Sequence, residues 1–150
     1  MAGAIMHVGV TVSDLDRSIA FYRDVVGLTY VGQLTMEGGT TERLFGRKGS
    51  IARVGYLNGG QDVHCPPLEL IQFTSHEAEK QDADLFRTSI SEICFASDDL
   101  WKEYDRMKAL GVEFLSEPQE FDFTKDGFGK SLAIYFKDPD GIIMEMMQAL

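Results

Sequence analysis

One hundred and fifty residues suit one domain or two small units sharing a core, and 44% hydrophobic residues leave no compositional case for disorder. Twenty-four acidic side chains against fourteen basic give a net charge of −10, which repels phosphate backbones and anionic membrane surfaces and excludes both as expected partners. No apolar run approaches the ~18–20 residues of a bilayer span, no CxxC pair is present, and MAGAIMHVGV lacks the basic segment of a signal peptide, so the cytoplasm is the expected location.

Met6, Val8, Val10 and Val12 alternate with His7, Gly9 and Thr11, the two-residue period of a strand. Asp14 is a helix cap, and Leu15, Ile19, Tyr22 and Val26 recur at helical spacing until Gly27 stops the helix. LTYVGQLTM reads as the next strand. GGTTERLFGRKG reads as a polar connection in which only ERLF has the makings of a helical turn. SIARVGYLN and PLELIQF are two further strands, separated by the glycines and prolines of GGQDVHCPP. The order is βαβββ.

Residues 74–89 are charged and lack strand periodicity, as expected of a linker between a module at 1–73 and a second at 90–150. Ile90 to Ala96 is the next strand. Asp98 and Asp99 precede a second apolar helical stripe, Leu100, Tyr104, Met107 and Leu110, ended by Gly111. VEFLSEP, SLAIYFKD and GIIMEMMQAL supply three more strands, with DPDG as the turn between the last two. The second module repeats the order of the first.

The repetition extends to individual residues. MHVGVTVSDL returns as SEICFASDDL, which pairs His7 with Glu92 and Asp14 with Asp99, each 85 positions on. Glu69 in LELIQF is matched by Glu145 in MEMMQA, 76 positions on. Pseudo-twofold packing would bring these four residues into one cleft. An imidazole and three carboxylates are suitable ligands for Mn, Fe, Co, Ni or Zn. Such an ion polarises a carbonyl while a displaceable carboxylate moves a proton. The plain alternative for each residue is an outward side chain on an alternating strand. For Glu69 and Glu145, set in apolar runs, that alternative is weakened by the cost of an unpartnered buried charge.

The stretches MHVGVTVSDLDRSIAFYRDVVGL, PPLELIQF, EICFASDDL and YFKDPDGIIMEMMQ resemble those of the glyoxalase, bleomycin-resistance and extradiol-dioxygenase group, the vicinal oxygen chelate superfamily. The resemblance spans nearly the whole chain. It implies an α+β fold of paired βαβββ modules forming an incomplete barrel around a cleft with a divalent metal, and a homodimer. It also implies that His7, Glu69 and Glu145 match ligand positions.

Glu92 departs from that pattern, because metal-binding relatives carry histidine there. One histidine and three ionised glutamates around M²⁺ sum to −1, which favours oxygen-seeking ions or leaves a proton on one carboxylate. The two-histidine pattern of extradiol dioxygenases and fosfomycin-modifying transferases is therefore not met. The expectation is a glyoxalase I-like lyase or isomerase that abstracts a proton alpha to a carbonyl of a small-molecule substrate. Glu145 would be ligand and catalytic carboxylate, and Glu92 fourth ligand or, if detached, general base. The competing class is a bleomycin-resistance type of binder that sequesters a small molecule in the same cleft without turnover.

Other residues read more plainly. Cys94 is expected as a small buried hydrophobe on the face of Glu92. His64 and Cys65 suggest a turn rather than a second metal site, and His76 a solvated linker residue. Glu42 lies near the segment where epimerases of the group place an acidic base, but at poor spacing. Arg47, Lys48 and Arg53 would steer an anionic substrate. Phe123 and Phe128 are candidate apolar contacts. GRKG and DGFGKS lack the spacing and the strand–helix context of nucleotide-binding loops.

Overall fold

The computed structural model describes residues 5–58, 67–80 and 82–150. The chain divides into two compact units, Met1–Lys80 and Gln81–Leu150, the boundary falling inside the expected linker.

In the first unit, β1 (Val8–Thr11) leads into α1 (Leu15–Ala20), followed by β2 (Thr29–Met36), α2 (Gly39–Phe45), β3 (Ala52–Asn58) and β4 (Leu68–Phe73). The sheet order is β1-β4-β3-β2. β1 runs parallel to β4, and the other pairings are antiparallel. The second unit repeats this with β5 (Cys94–Ala96), α3 (Leu100–Ala109), β6 (Gln119–Phe123), β7 (Gly129–Lys137) and β8 (Ile143–Ala149), in the order β5-β8-β7-β6. Both sheets are mixed and open, as the expected α+β modules require. Among the described residues no helix is long and apolar enough to cross a membrane.

The helices α1 and α3 start by the same device. Asp14 and Asp99 are N-caps whose carboxylates accept from the amides of Arg17 and Lys102. The first helical amides, of Leu15 and Leu100, donate instead to the side-chain oxygens of Gln72 on β4 and Gln148 on β8, at 3.2 and 2.8 Å. Amides that the helix itself leaves unpaired are thus satisfied by the central strand. After Ala20 the first helix widens into a π-helical turn, Phe21–Val26, and ends at Gly27, whose φ of 91° only glycine adopts readily. Leu15, Ile19 and Tyr22 are buried where this helix packs on β3 and β4. Gly55 permits that approach, since a Cβ there would lie 3.0 Å from Ile19 Cδ1. In the second unit Leu100, Met107, Leu132, Ile134, Phe136, Ile143, Met144 and Met146 form the buried apolar set.

Three elements differ from expectation. Residues 39–45 form a full helix where a polar connection with one turn was anticipated; Thr41 is buried and its hydroxyl donates to the Glu37 carbonyl. The strand expected at VEFLSEP falls instead at Gln119–Phe123. Residues 112–118 keep only an isolated bridge, Phe114 to Phe136. Phe114 is drawn onto the rings of Tyr104 and Phe136, and Pro118 cannot donate to a ladder. The third difference is β5, which starts at Cys94 rather than Ile90, so Glu92 precedes the strand as His7 precedes β1.

Replacing Gln148 by leucine keeps bulk but orphans the Leu100 amide. Urea unfolding is expected to show a loss of about 1–2 kcal/mol, against none for the exposed control Lys125→Ala. An equal response of both variants would show that the glutamine does not hold the helix.

Candidate functional site

The central strand of each sheet carries a glutamate flanked by the same pair of strand neighbours. In the first unit Glu69 lies opposite Gly9 on β1 and Tyr56 on β3. In the second, Glu145 lies opposite Cys94 on β5 and Tyr135 on β7. A central strand has backbone partners on both sides, so the carboxylate position is set by two ladders.

Glu69 is buried, with 9% of its surface exposed. Its charge is met on both oxygens. The Tyr56 hydroxyl donates to Oε1 at 2.8 Å, and His7 Nε2 stands 3.1 Å from Oε2. His7 itself is half exposed, so this pair joins the interior of the sheet to solvent. The bond to Glu69, helped by burial, raises the Tyr56 phenol above its ordinary range and keeps it a donor. Gly9 leaves the space beside the carboxylate open; a Cβ there would sit 3.6 Å from Glu69 Oε2.

The second unit keeps the frame and changes the chemistry. Glu145 is raised above the usual carboxylate range, chiefly by burial and further by the charge of Glu92; a hydrogen bond from the Cys94 thiol opposes the shift. The thiol is pushed up to about 12 by desolvation, by that bond, and by the charges of Glu145 and Glu92. It is therefore a proton donor and not a nucleophile. Tyr135 is also raised, first by burial and then by Glu145 and Glu92. Cys94 is exposed rather than the buried hydrophobe expected, because its strand is at the sheet edge.

The structure therefore joins His7 to Glu69, and couples Glu92 electrostatically to Glu145. Among the described residues no group of three or more His, Cys, Asp or Glu is placed to hold a metal ion. His64 and Cys65 lie outside the described residues. His76 is not simply solvated: it stacks on Phe73 and meets the Ser75 hydroxyl. Arg53 is not free to steer a ligand, since Asp16 takes two of its nitrogens and Gln33 a further bond. The Glu42 carboxylate accepts from the Gly49 amide and so closes a loop. Phe123 stacks on Phe121 and stays partly exposed, whereas Phe128 is almost wholly exposed.

Tyr56, Tyr135, Gln72 and Gln148 did not stand out in the sequence. The signal was there, in VGYL beside AIYF and in a glutamine three positions after each central glutamate.

A family model described as the glyoxalase/bleomycin resistance protein/dioxygenase superfamily matches residues 4–146, and the chain belongs to that superfamily. It is 30% identical over 146 residues to a probable lactoylglutathione lyase of Vibrio parahaemolyticus, covering 97% of this chain and 91% of that one. It is 27% identical over 148 residues to the uncharacterized protein YwbC of Bacillus subtilis, covering 99% of both. Among solved structures, a glyoxalase family protein from Bacillus cereus superposes with a TM-score of 0.83 at 20% identity, over 97% of this chain and 93% of that one. That last likeness is one of fold.

The raised Glu145 carboxyl gives a signed pH effect. Folding favours its protonated form, so its contribution is full below the ordinary titration near 4.5 and is lost as pH rises through the folded value. In chelator-treated protein, Glu145→Gln is expected to raise Tm at pH 8 and to have a smaller effect at pH 4. Thermal unfolding at the two pH values checks this, and a variant less stable at pH 8 would contradict it.

Proposed function

We propose that the protein is a divalent-metal-dependent lyase or isomerase that removes a proton alpha to a carbonyl, in the glyoxalase I manner. The observation that carries this reading is the repeated central-strand glutamate, set in the same register in both units. Membership of the superfamily and the likeness to a probable lactoylglutathione lyase support it.

The donors suit a divalent ion. His7 Nε2 and Glu69 Oε2, an imidazole nitrogen and a carboxylate oxygen 3.1 Å apart, are donors that would hold such an ion. In this reading His7, Glu69, Glu92 and Glu145 are the residues that would serve as ligands. Bound there, the ion would polarise the substrate carbonyl and acidify the neighbouring C–H bond.

Glu145 takes the proton from that carbon, the C–H electron pair moves toward the carbonyl, and the same carboxyl returns the proton to the adjacent carbon. No external oxidant or reductant is required. In the metal-free protein Glu145 is raised by burial and by the charge of Glu92, the direction that suits a proton-transferring carboxylate. The Cys94 thiol, protonated at neutral pH, steadies Glu145 without competing for the proton. Glu92 sets the charge around Glu145 and serves as fourth ligand or, detached, as base. The proposed assembly is a homodimer.

One observation favours a second reading. The carboxylate Glu92 stands where an imidazole would pair with Glu145, which fits weak metal binding and a protein that sequesters its ligand without turnover.

Elemental analysis of protein purified without added metal, followed by titration with Mn, Fe, Ni and Zn, separates the two. The expected result is tight uptake of one ion per chain, weakened in His7→Ala and Glu69→Ala. With a panel of hemithioacetals and 2-substituted acyl thioesters, Glu145→Gln should lower kcat about 10²–10⁴-fold. Absence of metal uptake would sink the enzymatic reading. Glu92→His adds a finer test, since gained affinity without gained turnover would assign Glu92 a catalytic part.

A further inference from the structure

The two units share a frame but hold their central carboxylates differently. Tyr56 and Tyr135 are the direct antiparallel partners of Glu69 and Glu145. Only Tyr56 uses its hydroxyl on the carboxylate, at 2.8 Å from Oε1. Among the described residues Tyr135 makes no such bond, and on its other side Glu145 faces Cys94 across the parallel ladder.

We propose that Tyr56 is a positioning residue that occupies Glu69 Oε1 and thereby reserves Oε2 as the single oxygen offered, beside His7 Nε2, to a divalent cation. The inference rests on the metal-dependent reading above. Two features make the bond more than incidental. First, β3 and β4 are paired from Ala52↔Phe73 to Leu57↔Leu68, so the ring and the carboxylate are both anchored on rigid strands and the bond fixes the rotation of the carboxylate plane. Second, Glu69 is buried and its two oxygens face different partners, a phenol on one side and an imidazole on the other. A carboxylate so held binds through one oxygen. Freed of the phenol, it can swing and bind through both, which changes coordination number and removes pre-organisation.

A division of labour follows. Glu69 is a fixed ligand, while Glu145, without a phenol on it, keeps the freedom that a proton-transferring carboxylate needs.

The test uses Tyr56→Phe and Tyr135→Phe, each the loss of one hydroxyl, with near-UV circular dichroism of the metal-free proteins to confirm folding. Zinc affinity is measured by competition with a chromophoric chelator, and Co²⁺ is used as a spectroscopic probe. Tyr56→Phe is expected to weaken zinc binding about 10–100-fold and to lower the visible absorption of bound cobalt, as a higher coordination number does. Tyr135→Phe is expected to leave both unchanged. Wild-type affinity and spectrum in Tyr56→Phe would overturn the positioning role while leaving the metal site standing. Weakened affinity with an unaltered cobalt spectrum would overturn the reservation of one oxygen. Failure of the wild-type protein itself to take up either ion would overturn the metal reading, and this inference with it.

Discussion

A carboxylate on the central strand of a four-stranded sheet is the constraint on which the site depends. Burying an ionised group is favourable only where hydrogen bonds replace its lost water. In the first unit that replacement is complete, with a phenol on one oxygen of Glu69 and an imidazole on the other. Both partners come from adjoining strands or their ends, so the strand order β1-β4-β3 is also the order of the polar network. Fold and site are the same set of contacts seen at two scales.

The same strands also hold the helices. Three residues after each central glutamate, Gln72 and Gln148 accept the first amide of the helix that follows β1 or β5. The amide of Val12 reaches the Ile71 carbonyl, and that of Ser97 reaches Met147, extending the parallel pairing toward the cap. A shift of β4 or β8 by one residue would turn the glutamate to the opposite face and misplace the glutamine together. Register is therefore fixed by polar contacts as well as by the buried leucines and methionines beside them.

How far the sequence could be read depended on where its signals were local. Period-two runs, aspartate caps and stop glycines placed β1, α1, β3, β4, α3 and β8, and the echo of Met6–Leu15 in Ser91–Leu100 gave the duplicated plan. β6 was misplaced although Phe121 and Phe123 alternate with Glu120 and Asp122, because the run is short and all five of its residues are exposed, whereas Phe114 and Leu115 upstream have strand-like composition. Tyr56 and Tyr135 were passed over because a tyrosine in an apolar strand reads as core. Their meaning lies in which residue faces them across the ladder, and a single strand does not reveal its partner. The same limit applied to Arg53, whose salt bridge to Asp16 spans 37 positions.

The exchange of His7 for Glu92 between the repeats changes what each unit asks of its surroundings. Glu69 is met by a phenol and an imidazole, and that unit is polar but satisfied. A carboxylate near Glu145 is a like charge, and the thiol bond from Cys94 offsets it only in part, since Glu145 remains raised. Such repulsion is relieved by a proton or by a cation, and either ligand lowers the need for the other. The two repeats thus differ in charge balance, since a phenol and an imidazole meet the oxygens of Glu69 while Glu145 carries a like charge beside it.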